Sequence, residues 1–224
     1  DALPIYRLIA LSRNLTFDRS WDTILALEGE LTDRTYAYAR NHPLGDFVDS
    51  LPDLALRTLD DDVRDDIERI QREIRRVDFE LPQGFDEVKF WPLGIDDGRT
   101  WPFEGRTDRL LVVSPFLSDD LIQRIAEEDG EHILVSRNEE LSHLAPSSFS
   151  RFESVFAMSR QAGLEERDPE SHSADRSQSL PQTGLHAKLF VADAGWDARV
   201  WTGSANATNA AFSRNVEFLV ELQG

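Results

Sequence analysis

The stretch HAKLFVADAGWDARVWTGSANATNAAFSRNVE, running from His186 to Glu217, decides how this chain is read. His186 and Lys188 stand one residue apart inside an apolar run of Leu185, Ala187, Leu189, Phe190 and Val191. Side chains alternate between the faces of a strand, so the imidazole and the ammonium leave one face and share one pocket. A second strand is predicted from Arg199 to Thr202, ending in Gly203-Ser204-Ala205-Asn206. That small-residue corner can bring hydroxyl, carboxamide and backbone N–H groups close to an anion. A neutral imidazole can attack phosphorus, and a lysine beside it offsets charge on the phosphoryl oxygens. The residue types alone suit a phosphodiester.

The order His186-x-Lys188, four residues, Asp193, then Gly203-Ser204-x-Asn206 and Asn215-x-Glu217 resembles the signature of the phospholipase D superfamily. The resemblance implies an α/β fold, an α-β-α sandwich around a mixed, largely parallel sheet. It also implies catalytic roles for His186, Lys188, Asp193, Ser204, Asn206 and Glu217. In the implied mechanism a neutral His186 attacks phosphorus to give a phosphohistidine, while a histidine of a facing half-site protonates the leaving oxygen and then activates water. Lys188, Ser204 and Asn206 would bind the non-bridging oxygens. Glu217 would orient an imidazole through its second ring nitrogen, as the family's glutamate does across half-sites. No metal and no cofactor is required. Asp193 leaves the opposite strand face from His186 and Lys188, so a turn-stabilising role suits it better than direct acid catalysis.

An internal repeat extends this reading. Arg7-Leu-Ile-Ala-Leu-Ser12-Arg-Asn14-Leu-Thr16 aligns without gaps on Arg199-Val-Trp-Thr-Gly-Ser204-Ala-Asn206-Ala-Thr208, 192 residues later. With a small shift, Ser20-Trp21-Asp22 then takes the place of Asn215-Val216-Glu217, making Asp22 the counterpart of Glu217. Ser12 and Asn14 become candidate substrate-binding groups. The His-x-Lys strand that should precede Ser12 is missing, so the chain reads as a piece of a longer protein. Residues 1–80 would hold the end of a first half-repeat with connecting helices, and 81–224 the half with the His-x-Lys motif. The second histidine would come from an upstream half-site or from a second copy in a homodimer.

Composition bounds the partners. A hydrophobic share of 40% over 224 residues supports a globular domain. No apolar run is long enough for a membrane span and the N-terminus lacks a signal peptide, so the expectation is a soluble, cytoplasmic protein without membrane attachment. The absence of cysteine excludes disulfides and thiolate metal sites. A net charge of −18 opposes a broad nucleic-acid surface. Arg7, Arg13, Arg19, Arg199 and Arg214 nevertheless fall in or near the motif segments, and could form a local basic groove. Lys188 is one of only two lysines, with Lys89.

Elsewhere, apolar spacing predicts a helix over Asp60–Asp78 and a strand over Asp86–Leu93. A strand–helix–strand unit with a parallel crossover is predicted over Arg109–Ser114, Ser118–Glu128 and His132–Ser136, with an edge element over Arg151–Met158. Ser114 closes a buried strand, where open sheets place ligand-binding groups, and is a weak candidate. The loops 94–108, with Trp101 and Phe103, and 161–184 could border a groove. His42, His132, His143 and His172 lack metal-site spacing. Nucleic acid is the favoured substrate, pointing to a nuclease acting on DNA. The alternatives are a phospholipid-cleaving enzyme, favoured if aromatics near Trp101 or Trp196 rim an apolar groove, and a non-catalytic dimerisation or binding module.

Overall fold

A seven-stranded sheet carries the His186–Glu217 region, and a three-stranded sheet built from the N-terminal residues packs against it. The structure, a computed structural model, describes residues 4–13, 20–95, 100–159 and 184–224. The N-terminal elements are β1 (Ile5–Leu11), β2 (Ser20–Trp21), β3 (Ile24–Leu31), α1 (His42–Ser50), α2 (Asp61–Ile74) and β4 (Val77–Phe79). Then come β5 (Glu87–Leu93), β6 (Arg109–Val113), α3 (Asp119–Ile125), β7 (Glu131–Ser136), α4 (Asn138–His143) and β8 (Ser154–Ala157). The C-terminal part holds β9 (Gly184–Leu185), β10 (Leu189–Ala194), β11 (Asp197–Gly203), α5 (Asn209–Ser213) and β12 (Glu217–Gln223).

The large sheet runs β5-β12-β11-β10-β6-β7-β8. Its β6–β7 and β7–β8 pairings are parallel, as the strand–helix–strand reading required, but the other four pairings are antiparallel. The expected largely parallel sheet is therefore a mixed sheet with an antiparallel majority. The cause is local. Only Gly195 and Trp196 separate β10 from β11, and a connection that short can only reverse the chain. Gly195 sits at φ 76°, where glycine carries no steric penalty.

Each face of the large sheet has its own core. On one, Leu110, Val112, Phe190, Ala192 and Trp201 meet Leu121, Ile122 and Ile125 of α3. On the other, Val88, Phe90, Val220 and Leu222 meet Ala10, Leu27, Leu44, Ile74, Val77 and Phe79. The second outer layer of the expected α-β-α sandwich thus contains a three-stranded sheet, β1-β3-β4, as well as α1 and α2. The α2 helix begins with Asp61 and Asp62 and ends near Arg72, each sign at the end the helix dipole favours. It stops at Ile74, sooner than predicted, because Val77 and Phe79 enter the core as a strand.

This topology sets the site. Because β10 is antiparallel to β6 and β11, its start lies beside the ends of β6 and β11, and the start of β12 lies beside the end of β5. The residues just before β10, just after β6, β7 and β11, and at the head of β12 therefore converge on one end of the sheet.

Candidate active site

His186 and Lys188 occupy a break between β9 and β10, where a regular strand was expected. The backbone N–H groups of His186 and Ala187 both donate to the Trp21 carbonyl, at 2.9 and 2.7 Å. The Lys188 ammonium donates to the His186 carbonyl at 2.9 Å and lies 3.1 Å from His186 Nδ1. Imidazole and ammonium still share one side, but through this kink. The His186 side chain is 29% exposed and Lys188 is 2% exposed, so an incoming ligand meets the imidazole first.

Both groups are perturbed. Burial and the Lys188 charge lower the His186 pKa, with Arg137 adding to the effect and Asp22 opposing it. Burial brings the Lys188 pKa down from 10.5 to about 8, with Glu217 and Asp22 resisting and Arg137 assisting. His186 is therefore a neutral imidazole at neutral pH, next to an ammonium that feels the charge of two carboxylates, Glu217 and Asp22.

Those carboxylates come from the two copies of the repeat. In β11–β12, Gly203 pairs with Leu219; in β1–β3, Leu11 pairs with Ile24. The registers superimpose with a shift of 192 residues on the first strand and 195 on the second, which makes Asp22 the structural counterpart of Glu217. The hydrogen bonds repeat as well. Ser204 N donates to Phe218 O at 3.0 Å and Ser12 N to Thr23 O at 3.0 Å. The Phe218 N–H donates to Ser204 Oγ at 3.0 Å, and the Thr23 N–H to Ser12 Oγ at 2.9 Å. The Ser204 hydroxyl donates to Glu217 Oε2, and the Ser12 hydroxyl reaches Asp22 Oδ1 at 3.3 Å.

Gly203 makes the C-terminal copy possible: its φ is 152°, and a Cβ there would lie 2.0 Å from the Phe218 carbonyl oxygen. The copies meet at Lys188. The hydroxyls of Thr23 and Thr202 are 2.8 Å apart, and each lies within reach of the Lys188 carbonyl, at 3.3 and 3.2 Å. Asp22 Oδ1 of the first copy stands 3.7 Å from His186 Nδ1 of the second, while its Oδ2 is 2.6 Å from Arg13 Nε.

The other sequence candidates divide. Asn206 is partly buried, and its Oδ1, itself shut off from solvent, has no hydrogen-bond partner among the described residues. Asn14 lies outside the described residues, as do Arg19 and the 161–183 part of the second loop. Asp193 is remote from His186. It sits near the far end of β10, where it is paired in register with Arg109 and accepts from Arg109 Nε and Nη2 at 3.0 and 2.5 Å. Ser114 is fully buried, donates to Phe116 O at 2.7 Å and accepts from Ala207 N at 2.9 Å. It anchors the Ser-x-Asn turn, and its one hydroxyl proton is already donated.

Trp101 and Phe103 turn inward against Phe212, with the Arg124 guanidinium 3.6 Å over Trp101, so they do not rim a groove. Trp196 is fully exposed, but at the β10–β11 turn, the opposite end of the sheet. Three of the described motif arginines have separate partners: Arg7 pairs with Glu28, Arg13 with Asp22, and Arg199 binds the Glu104 carbonyl.

Arg137 is a site residue that the sequence reading missed. It follows β7, donates from Nε to Leu185 O at 3.0 Å, and stacks over Phe116 at 4.7 Å. Among the described residues it has no carboxylate partner, so its charge acts on His186 and Lys188. No group of three or more His, Asp or Glu side chains among the described residues is placed to hold a metal ion, and no described helix is long and apolar enough to cross a membrane.

No family model and no curated protein matches the chain. Among solved structures it is similar to NucT from Helicobacter pylori, with a TM-score of 0.38 and 14% sequence identity over 61% of this chain and 84% of that one. What stands independently of that similarity is a mixed α/β chain with a large mixed sheet, at one end of which two copies of a Ser–carboxylate corner enclose a histidine and a lysine.

Proposed function

We propose that this chain belongs to the phospholipase D-like phosphodiesterases and is a nuclease acting on DNA without a metal, through a phosphohistidine at His186. The observation that carries the reading is the pairing across the repeat: Asp22 of the first copy faces His186 Nδ1 of the second at 3.7 Å. A carboxylate there fixes which ring nitrogen keeps the proton.

In the resting arrangement the ammonium of Lys188, at 3.1 Å, competes for Nδ1. A bound phosphate draws that ammonium towards its oxygens. The imidazole proton, on Nε2 while Nδ1 accepts from Lys188, exchanges through solvent to Nδ1; Nδ1–H then donates to Asp22, and the freed Nε2 lone pair attacks phosphorus. The P–O bond to the leaving oxygen breaks as the P–N bond forms. Water then attacks the phosphohistidine and restores the neutral imidazole. Lys188, Arg137 and the Asn206 carboxamide supply positive charge and donors where the phosphoryl oxygens gain charge.

Glu217 is the equivalent of Asp22 in the other copy, and none of His42, His132 and His143 contacts it. The acid that protonates a deoxyribose oxygen is assigned to a histidine facing Glu217, from outside the described residues or from a second copy. The location of Trp196, away from His186, removes the feature that favoured phospholipid.

The test compares wild type and His186→Ala on two substrates in EDTA. Bis(p-nitrophenyl) phosphate releases p-nitrophenolate, which leaves without being protonated, so it isolates the nucleophile; DNA needs the acid as well. Hydrolysis of the activated diester that vanishes in His186→Ala supports the reading. Equal rates in both proteins would exclude His186 as the nucleophile, and inactivity towards both substrates would leave a binding module.

A further inference from the structure

A cleft of about 520 Å³ opens on the N-terminal part of the molecule, lined by Asp33, Arg34, Arg72, Arg75 and Arg76. Four guanidinium groups gather here in a protein whose net charge is −18. Three anions answer part of this charge: Asp33 in the lining, Asp46, whose Oδ1 is 2.7 Å from Arg75 Nη2, and Glu73, which binds the Tyr6 hydroxyl that the Arg76 charge also reaches. Arg34 is stacked over Tyr38 at 4.1 Å, and Arg72 donates from Nε to the Glu68 carbonyl at 3.0 Å. Neither of those contacts neutralises a charge. Among the described residues Arg34, Arg72 and Arg76 make no ion pair.

The simplest structural explanation is the α2 C-terminus, beside which Arg72, Arg75 and Arg76 lie. A helix end offers only about half an elementary charge. Four guanidiniums against the three carboxylates of Asp33, Asp46 and Glu73 and that half charge leave the cleft with a small positive surplus. Like charges this close repel unless an anion joins them.

We propose that this cleft is a second nucleic-acid contact, gripping backbone phosphates away from the cleavage site. This rests on the nuclease reading for its choice of polyanion. Two features favour a polymer over a small phosphate compound. The cleft is open, its Arg34 and Arg72 side chains being exposed, and planar guanidiniums can bind successive phosphates side by side. Its location also fits. Thr23, at the head of β3, contacts the Lys188 carbonyl, and Thr32, just past the end of β3, contacts the Arg76 carbonyl at 2.7 Å. The eight residues of β3 span roughly 26 Å, about eight nucleotide steps of a duplex.

The test measures binding of a fluorescent 30-nucleotide DNA, single-stranded and duplex, against salt concentration. His186→Ala serves as the uncleaving background, with and without Arg34→Gln and Arg72→Gln together. Glutamine removes the charge from two exposed positions without placing an anion at the helix end. The expected result is at least a tenfold loss of affinity at low salt, and a fall of about 1.5 in the slope of log affinity against log salt. Arg34→Lys with Arg72→Lys should preserve both.

Unchanged affinity and slope in the glutamine variant overturns the proposal, as does equally tight polyglutamate binding lost in the same variant, which would mark an acidic-peptide site. With His186 intact, the glutamine pair should hydrolyse bis(p-nitrophenyl) phosphate like wild type. If wild type fails on that substrate the nuclease reading falls, and the salt slope still decides whether the cleft grips DNA.

Discussion

Replacing Lys188 by methionine should inactivate this protein and make it more stable. The ammonium is 2% exposed and its pKa is about 8 instead of 10.5. That depression is the native state's cost of keeping the charge, about 3 kcal/mol wherever both states are protonated. Methionine fills nearly the same volume without the charge. It loses the hydrogen bond to the His186 carbonyl, which returns about 1 kcal/mol of the gain. The net expectation at pH 7 is a variant about 2 kcal/mol more stable, with an upward shift of several degrees in Tm.

The pH dependence identifies the cause. Between about 8 and 10.5 the unfolded chain holds a proton that the native state has released, so wild-type stability rises with pH across that window. The advantage of Lys188→Met is therefore full below pH 8 and shrinks as pH approaches 10. Urea unfolding at pH 7 and pH 10, followed by far-ultraviolet circular dichroism, measures both quantities. A variant less stable than wild type at pH 7, or an advantage independent of pH, would refute the buried-charge argument.

Four further outcomes follow from the site. Hydrolysis of the activated diester should follow a bell: the acid limb lies below 6.5, where His186 becomes protonated, and the alkaline limb near 8, where Lys188 loses its proton. In Lys188→Arg the limb near 8 should disappear, because arginine stays charged. Asp22→Asn should lower kcat by about 100-fold or more while leaving KM within a few-fold, since it misorients the imidazole and removes no substrate contact; a variant at wild-type rate would dismiss Asp22. Asp193→Asn should hydrolyse as wild type does, because that carboxylate serves Arg109 at the far end of β10. Ser114→Ala should lose about 2 kcal/mol in denaturant unfolding, because the buried Ala207 N–H loses its acceptor.

The site was legible in the sequence where short-range spacing determines geometry. The alternation of His186 and Lys188 placed them on one side, which follows from period two and survives the kink, whereas Asp193 is kept from them by distance along β10, at whose far end it pairs with Arg109. The repeat located Asp22 to within its three-residue shift, because β1–β3 and β11–β12 are each local hairpin-like pairings with fixed register. Arg137 was not legible. It reaches His186 only because β7 is parallel to β6 and β6 pairs with β10, a chain of long-range contacts that no local pattern encodes.

Ser114 was placed correctly at a strand end but misread in role, because its hydroxyl meets the Ala207 amide of a turn 93 positions away. Trp101 and Phe103 lie in a polar stretch that reads as solvated loop; their burial depends on Phe212 and on Arg124 of α3, which tertiary packing brings over them. The largely parallel sheet implied by the resemblance holds for the β6–α3–β7 crossover but not for β10 and β11, which a two-residue turn forces to run antiparallel.

The central claim is that His186 becomes covalently bound to phosphorus. Mixing enzyme with a labelled diester in EDTA, quenching in alkali within milliseconds to seconds and analysing the peptides by mass spectrometry tests it most directly. The account predicts a phosphoryl adduct on the peptide containing His186, stable in base, lost in acid, and absent from His186→Ala. Turnover without any such adduct in wild type, or an adduct that persists in His186→Ala, would contradict it.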